Sequence, residues 1–189
     1  PTPKVKKIAV VGAGPAGLAA STLAAQRGHN VTLFDSGSEI GGQFNLAKKV
    51  PGKEEFYETI RYFGKQIQIT GVNLQLNTLA TPDTLKGFDE VILATGVTPR
   101  DAKIPNNGGH AVSYYDVLAH NAPVGKRVAV VGAGGIGFDI SEFVTHDPAH
   151  PAASVDIATY NTQWGVIDPE HAQGGLAKPA PAAAVREVT

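Results

Sequence analysis

Lys7-Ile8-Ala9-Val10-Val11-Gly12-Ala13-Gly14-Pro15-Ala16-Gly17 decides how the rest of the chain is read. The apolar run 7–11 has the length and composition of a buried strand, and it feeds directly into a G-x-G-x-x-G turn. The stretch from Ala16 to Arg27 reads as a helix closed by Gly28, where a C′ glycine belongs. Val31-Thr32-Leu33-Phe34 is the next strand, and Asp35 stands at its end. Together these make a βαβ unit of about 30 residues. The three glycines of such a turn serve a tight strand-to-helix reversal, close backbone approach to a pyrophosphate, and helix–strand packing. Gly12, Gly14 and Gly17 take these roles in that order, and the helix N-terminus adds N–H groups and a positive dipole end. Asp35 falls about twenty residues on, where a carboxylate can accept hydrogen bonds from an adenosine ribose. A turn using glycines for packing alone would need no acid there, so the whole fingerprint favours an adenine dinucleotide.

Working outward, Phe56, Ile60, Phe63 and Ile67 recur at helical spacing between Lys53 and Ile69 and predict one buried stripe. Val72, Leu74 and Leu76 alternate with polar residues, as in a half-buried strand. Val91-Ile92-Leu93-Ala94 reads as another buried strand, stopped by Thr95-Gly96. Near residue 119 the pattern begins again. Arg127-Val128-Ala129-Val130-Val131 runs into Gly132-Ala133-Gly134-Gly135-Ile136-Gly137, and an apolar-periodic helix follows through Phe138, Ile140 and Phe143. Gly132, Gly134 and Gly137 therefore mark a second dinucleotide loop. The residue that would choose between NAD and NADP is expected beyond Thr189. A Pro/Ala-rich stretch from about 147 to 184 is too long for a structureless connection and is expected as an elaborated surface loop, a lid, or a segment whose packing partner lies in the rest of a longer polypeptide, with Trp164 as its anchor. The fold expected is α/β with Rossmann-like parallel sheets in three-layer packing: one dinucleotide-binding domain over 1–118, and the incomplete beginning of a second over 119–189.

Composition narrows the function. Sixteen basic and 17 acidic residues give a net charge of −1 with no long single-sign run, which excludes the electrostatic footprint of a nucleic-acid binder. With no cysteine in the chain, a disulfide framework, a zinc ribbon and a thiolate-held iron–sulfur cluster are excluded within it, so redox chemistry here needs an organic cofactor. No apolar run reaches the roughly 18–20 residues of a membrane span, and Pro1-Thr2-Pro3 does not open a signal peptide. A cytoplasmic protein with neither membrane nor nucleic-acid partner is expected. The missing initiator methionine, and an end at Val185-Arg186-Glu187-Val188-Thr189 that reads as an opening strand, imply a piece of a longer polypeptide. His29, His110, His120, His146, His150 and His171 show no ligand spacing with acids, so no metal site is expected. No Ser/His/Asp constellation points to hydrolysis.

Two glycine loops in one chain resemble the two-dinucleotide-binding-domain flavoproteins, in which the first unit holds FAD and the second NAD(P)H. Glu39-Ile40-Gly41-Gly42-Gln43 is similar to their glycine pair beneath the flavin diphosphate, and Ala94-Thr95-Gly96-Val97-Thr98-Pro99-Arg100 to their crossover out of the FAD domain. More narrowly, residues 39–48, Pro51-Gly52-Lys53-Glu54-Glu55-Phe56-Tyr57-Glu58-Thr59, Ser113-Tyr114-Tyr115-Asp116-Val117-Leu118 and Gln173-Gly174-Gly175-Leu176 resemble the bacterial NADPH-dependent 2,4-dienoyl-CoA reductases of fatty acid β-oxidation.

That resemblance implies electron input from NADPH (or NADH) through FAD to a barrel outside this chain. The barrel would carry a 4Fe-4S cluster, FMN and the acyl site, making it the chain's own electron acceptor and leaving the isolated piece inactive and without a catalytic residue. It further implies that the Ala16 N–H reaches the FAD pyrophosphate, that Asp35 takes the ribose, and that Gly42 and Gln43 pass beneath the diphosphate. Lys53 would approach the phosphate side or remain a solvated charge, Ala80 would present backbone to adenine, and Thr95 and Gly96 would belong to the crossover. Two other outcomes fit the same architecture: a non-catalytic ADP-binding module, as in relatives of trimethylamine dehydrogenase, and an enoate-type reductase with another substrate.

Overall fold

The computed structural model describes residues 2–101 and 103–189; Pro1 and Ala102 lie outside the described residues. Packing divides the chain into two compact units, one of residues up to Asn45 plus Phe56–Lys103, the other of Leu46–Glu55 plus Ile104–Thr189. This division by packing runs at other positions than the 1–118 and 119–189 division read from the motifs, because Leu46, Val50, Tyr114, Val117 and Leu118 pack in the second unit's core.

In the first unit, β1 (Lys7–Val11), β2 (Asn30–Phe34), β3 (Asn73–Gln75) and β4 (Glu90–Leu93) form a parallel sheet in the order β3-β2-β1-β4. Between β1 and β2 runs α1 (Pro15–Gln26), which begins with Pro15 in its first turn and ends before Gly28, whose φ of +98° continues no helix. The core is made by the apolar strands and helix stripe read from the sequence: Ile8, Val10, Val31 and Leu33 of the strands meet Leu18 of α1 and Ile67 of α3 (Glu55–Thr70). The α3 stripe behaves as its period predicts, with Ile67 buried and Phe56, Ile60 and Phe63 half-buried.

The reading of 91–94 as a buried strand is corrected. β4 forms one residue earlier than expected, on Glu90–Leu93, and is the sheet's edge, and Val91, Ile92 and Leu93 are 43, 37 and 72% exposed. An unbroken apolar run records the capacity of a strand to be covered on both faces; coverage itself depends on neighbours.

The second unit holds α4 (Tyr114–His120), β5 (Arg127–Val128), α5 (Gly135–Thr145), α6 (Ile157–Trp164), a 3₁₀ turn at Gln173–Gly175 and β6 (Glu187–Val188). β5 and β6 pair in parallel. The strand expected over 127–131 is shorter because its partner is short, although the Val130 N–H still donates to the Thr189 carbonyl at 2.8 Å. Val50, Val117, Leu118, Ile140 and Val144 make the core. Of the periodic apolar positions on α5, Phe138 is 70% exposed.

The 147–184 stretch is ordered beyond expectation. Asp156 caps α6 by accepting the Thr159 N–H at 2.7 Å, and Val166 and Leu176 form an antiparallel bridge. Trp164 is not its buried anchor: it is 63% exposed and stacks on Tyr160 at 6.0 Å. Among the described residues no helix is long and apolar enough to cross a membrane, and no group of three metal-ligating side chains occurs.

Candidate dinucleotide sites

The residues proposed for the first cofactor stand at the carboxyl ends of the parallel strands, with Gly12, Gly14 and Gly17 after β1, Asp35 after β2, and Thr95 and Gly96 after β4, where open α/β sheets bind ligands. Gly12 follows β1 with φ +106°, and an added Cβ would lie 2.3 Å from the Ala94 carbonyl oxygen, at the exit of β4. A Cβ on Gly17 would lie 1.8 Å from the Gly12 oxygen. Both glycines are therefore demanded by the chain itself.

Gly14 is different. It is the N-cap of α1 with φ −74° and ψ −179°, a conformation open to any residue, and its added Cβ would meet only the Gly42 Cα, at 4.0 Å. Nothing among the described residues requires glycine there, whereas a pyrophosphate resting on the loop would. Ala16 is exposed in the same first turn, whose N–H groups lack intrahelical acceptors, and no acidic residue stands in that turn to repel an anion. The residues fit a dinucleotide diphosphate.

The glycine pair closes over this loop. The Gly41 N–H donates to the Ala13 carbonyl at 2.8 Å, Gly41 and Gly42 have φ of +117° and +52°, and a Cβ on Gly42 would come 2.9 Å from the Gly14 Cα. Gln43 is exposed and reaches the Val97 carbonyl at 3.5 Å, so it joins the glycine pair to the segment following Thr95 and Gly96.

Asp35 is held by its own chain: Oδ2 accepts the Ala13 N–H at 2.6 Å and Oδ1 the Gly37 N–H at 2.7 Å. The Thr78 N–H donates to the Asp35 carbonyl and the Asn77 N–H to that of Gly37, both at 2.8 Å, which brings the segment leading to half-buried Ala80 alongside. Gly37 was not singled out by sequence reasoning, yet a Cβ there would sit 3.0 Å from Asp35 Oδ1.

The second loop repeats the backbone of the first. Gly132 has φ +123°, a Cβ on Gly137 would lie 2.0 Å from the Gly132 oxygen, and Gly134 caps α5 with φ −88° and ψ −177°. Its surroundings differ. An added Cβ at Gly132, Gly134 or Gly135 meets nothing within 4 Å, and Ala133 is exposed where Ala13 is fully buried.

Lys53 lies in this second unit rather than with the first loop's residues. Its Nζ donates to Oδ1 and Oδ2 of Asp139 at 2.7 and 2.6 Å. Asp139 was missed in the sequence because nothing in the local pattern links it to a lysine 86 positions earlier.

A glycine loop after the first strand of a parallel sheet, found once in each unit, is the backbone pattern of nucleotide-binding α/β domains. The model of the pyridine nucleotide-disulphide oxidoreductase family matches residues 6–146, and the chain belongs to that family. It is 36% identical over 146 residues to a metal reductase of Desulforamulus reducens, covering 74% of this chain and 22% of that protein. Among solved structures, a 2-naphthoyl-CoA reductase complexed with 2-naphthoyl-CoA aligns over 100% of this chain and 33% of its own, with 29% identity and a TM-score of 0.72. Histamine dehydrogenase from Rhizobium sp. 4-9 aligns over 76% of this chain and 25% of its own, with 26% identity and a TM-score of 0.65. The chain thus spans about a fifth to a third of the length of these relatives. It is an oxidoreductase domain related to CoA-ester reductases and amine dehydrogenases. The family's name includes a disulphide, but this chain has no cysteine, so no dithiol within it can take electrons.

Proposed function

We propose that this chain is the electron-input part of a flavin oxidoreductase, with FAD on the Gly12–Gly17 loop and NADPH or NADH on the Gly132–Gly137 loop. The observation that carries this reading is the contrast between Gly14 and Gly134 on one side and Gly17 and Gly137 on the other: an added Cβ would overlap a carbonyl oxygen at the latter pair, whereas the former are N-caps with ordinary φ and open space, where a diphosphate could rest against the backbone. The first loop is braced by Asp35 and by the glycine pair, which suits a resident cofactor.

When bound, the flavin supplies hydride acceptance from reduced nicotinamide and onward electron delivery. The chain's residues hold and aim. Backbone N–H groups at Ala16 and its neighbours take the diphosphate, Gly41 and Gly42 let the backbone pass close beneath it, Gln43 ties that segment to Val97, Asp35 braces the loop beside the adenosine end where Ala80 lies, and Thr95-Gly96 leads the chain away. The substrate class proposed is a 2,4-dienoyl-CoA thioester reduced in a barrel elsewhere in the polypeptide, through FMN and a 4Fe-4S cluster. The resemblance over 43–59 and the alignment of this chain with a third of a CoA-ester reductase support it. The likeness to an amine dehydrogenase favours a second reading, an ADP-holding module without flavin.

Ligand released by heat from the protein expressed from its full reading frame, followed by chromatography, separates the two. FAD is expected, and ADP without FAD would move the assignment to the non-catalytic module.

A further inference from the structure

We infer that Asp35 serves the first dinucleotide site as a positioning residue, acting through the Ala13 N–H rather than chiefly through a ribose hydroxyl; this rests on the reading of that loop as an FAD site. Ala13 lies between the two glycines and is fully buried. Its N–H is taken by Asp35 Oδ2 at 2.6 Å and its carbonyl by the Gly41 N–H at 2.8 Å. Because each peptide group is planar, these two bonds fix both planes flanking Ala13. The orientation of the N–H groups from Gly14 onward is thereby set before any diphosphate arrives.

Asp35 itself is braced. Oδ1 accepts the Gly37 N–H at 2.7 Å, while its own N–H donates to the Gln75 carbonyl at 2.9 Å. Such short bonds from neutral N–H groups to a carboxylate are of the strong, charge-assisted kind. The short arm of an aspartate places one oxygen on each N–H, and Gly37 leaves room for it.

A carboxylate keeps further lone pairs for a ribose hydroxyl, so the test separates the two roles. The protein from the full reading frame, stripped of cofactor, is titrated with FAD and with an FAD analogue lacking the adenosine 2′- and 3′-hydroxyls, as wild type, Asp35→Asn and Asp35→Glu. Asp35→Asn cannot accept both N–H groups and should weaken FAD by about tenfold or more. It should weaken the analogue by the same factor and abolish hydrogen-exchange protection of the Ala13 N–H in the ligand-free protein. Asp35→Glu keeps the charge and a reach to ribose but not the two-pronged hold, and should not restore binding. A loss confined to FAD, or full binding by Asp35→Glu with Ala13 unprotected, would overturn the inference and leave Asp35 a ribose ligand. Wild-type protein that binds neither FAD nor the analogue would instead sink the reading of the loop itself.

Discussion

Lys53 and Asp139 form a two-pronged ion pair, Nζ to Oδ1 and Oδ2 at 2.7 and 2.6 Å, inside the second unit. Their side chains are 38 and 30% exposed, so solvent screens much of the attraction. A double-mutant cycle with Lys53→Gln and Asp139→Asn, read by thermal unfolding, should give a coupling of about 0.5–1 kcal/mol that shrinks as salt is added. A coupling of zero at low salt would mean that the pair does not hold 46–55 to α5.

Gly14→Ala and Gly134→Ala should leave stability within about 1 kcal/mol of wild type, because both positions have ordinary φ and open space. Binding should respond, with FAD affinity falling about tenfold or more in the first variant and NAD(P)H affinity in the second, as a methyl displaces the diphosphate from the backbone. Gly17→Ala and Gly137→Ala should instead unfold more easily, by at least about 1–3 kcal/mol, since the new methyl overlaps a carbonyl oxygen. Thermal melts beside ligand titrations distinguish the two patterns, and equal behaviour of all four variants would return the glycines to a packing role.

Val50 is 2% exposed and packs with Val117, Leu118, Ile140 and Val144. Val50→Ala should cost about 2 kcal/mol, and the loss should appear as faster hydrogen exchange in α4 and α5. If exchange accelerated only around α1 and β2, residues 46–55 would have been assigned to the wrong unit.

The Thr159 side chain first, and its backbone N–H second, hold the Asp156 carboxyl below the ordinary carboxylate range. A depressed folded-state value means that the stabilisation is fully present above the unfolded value of about 3.9 and is lost as pH falls through the folded one. Trp164, the single tryptophan of the chain, sits at the end of the helix that Asp156 caps. Its fluorescence should therefore change below about pH 4 in wild type, and that step should be absent in Asp156→Asn, whose cap does not titrate. An identical acid step in both would place the transition elsewhere.

The βαβ unit, both glycine loops, the α3 stripe and the parallel pairing were legible in the sequence because each is a local pattern: an apolar run, a period, or a glycine at a fixed offset. Roles that depend on what lies across space were not. Whether Val91-Ile92-Leu93 is covered turns on its place at the sheet edge, and Trp164 on what α6 packs against. The 46–55 segment joins the second unit because Val50, Lys49 and Lys53 find partners at Leu118, Ile140 and Asp139, far away along the chain. Asp35 could be marked as an acid at a strand end from its position alone. Only the tertiary structure put its two oxygens on the N–H groups of Ala13 and Gly37, because a carboxylate takes the donors that folding brings within about 3 Å of it, and sequence distance does not set that separation.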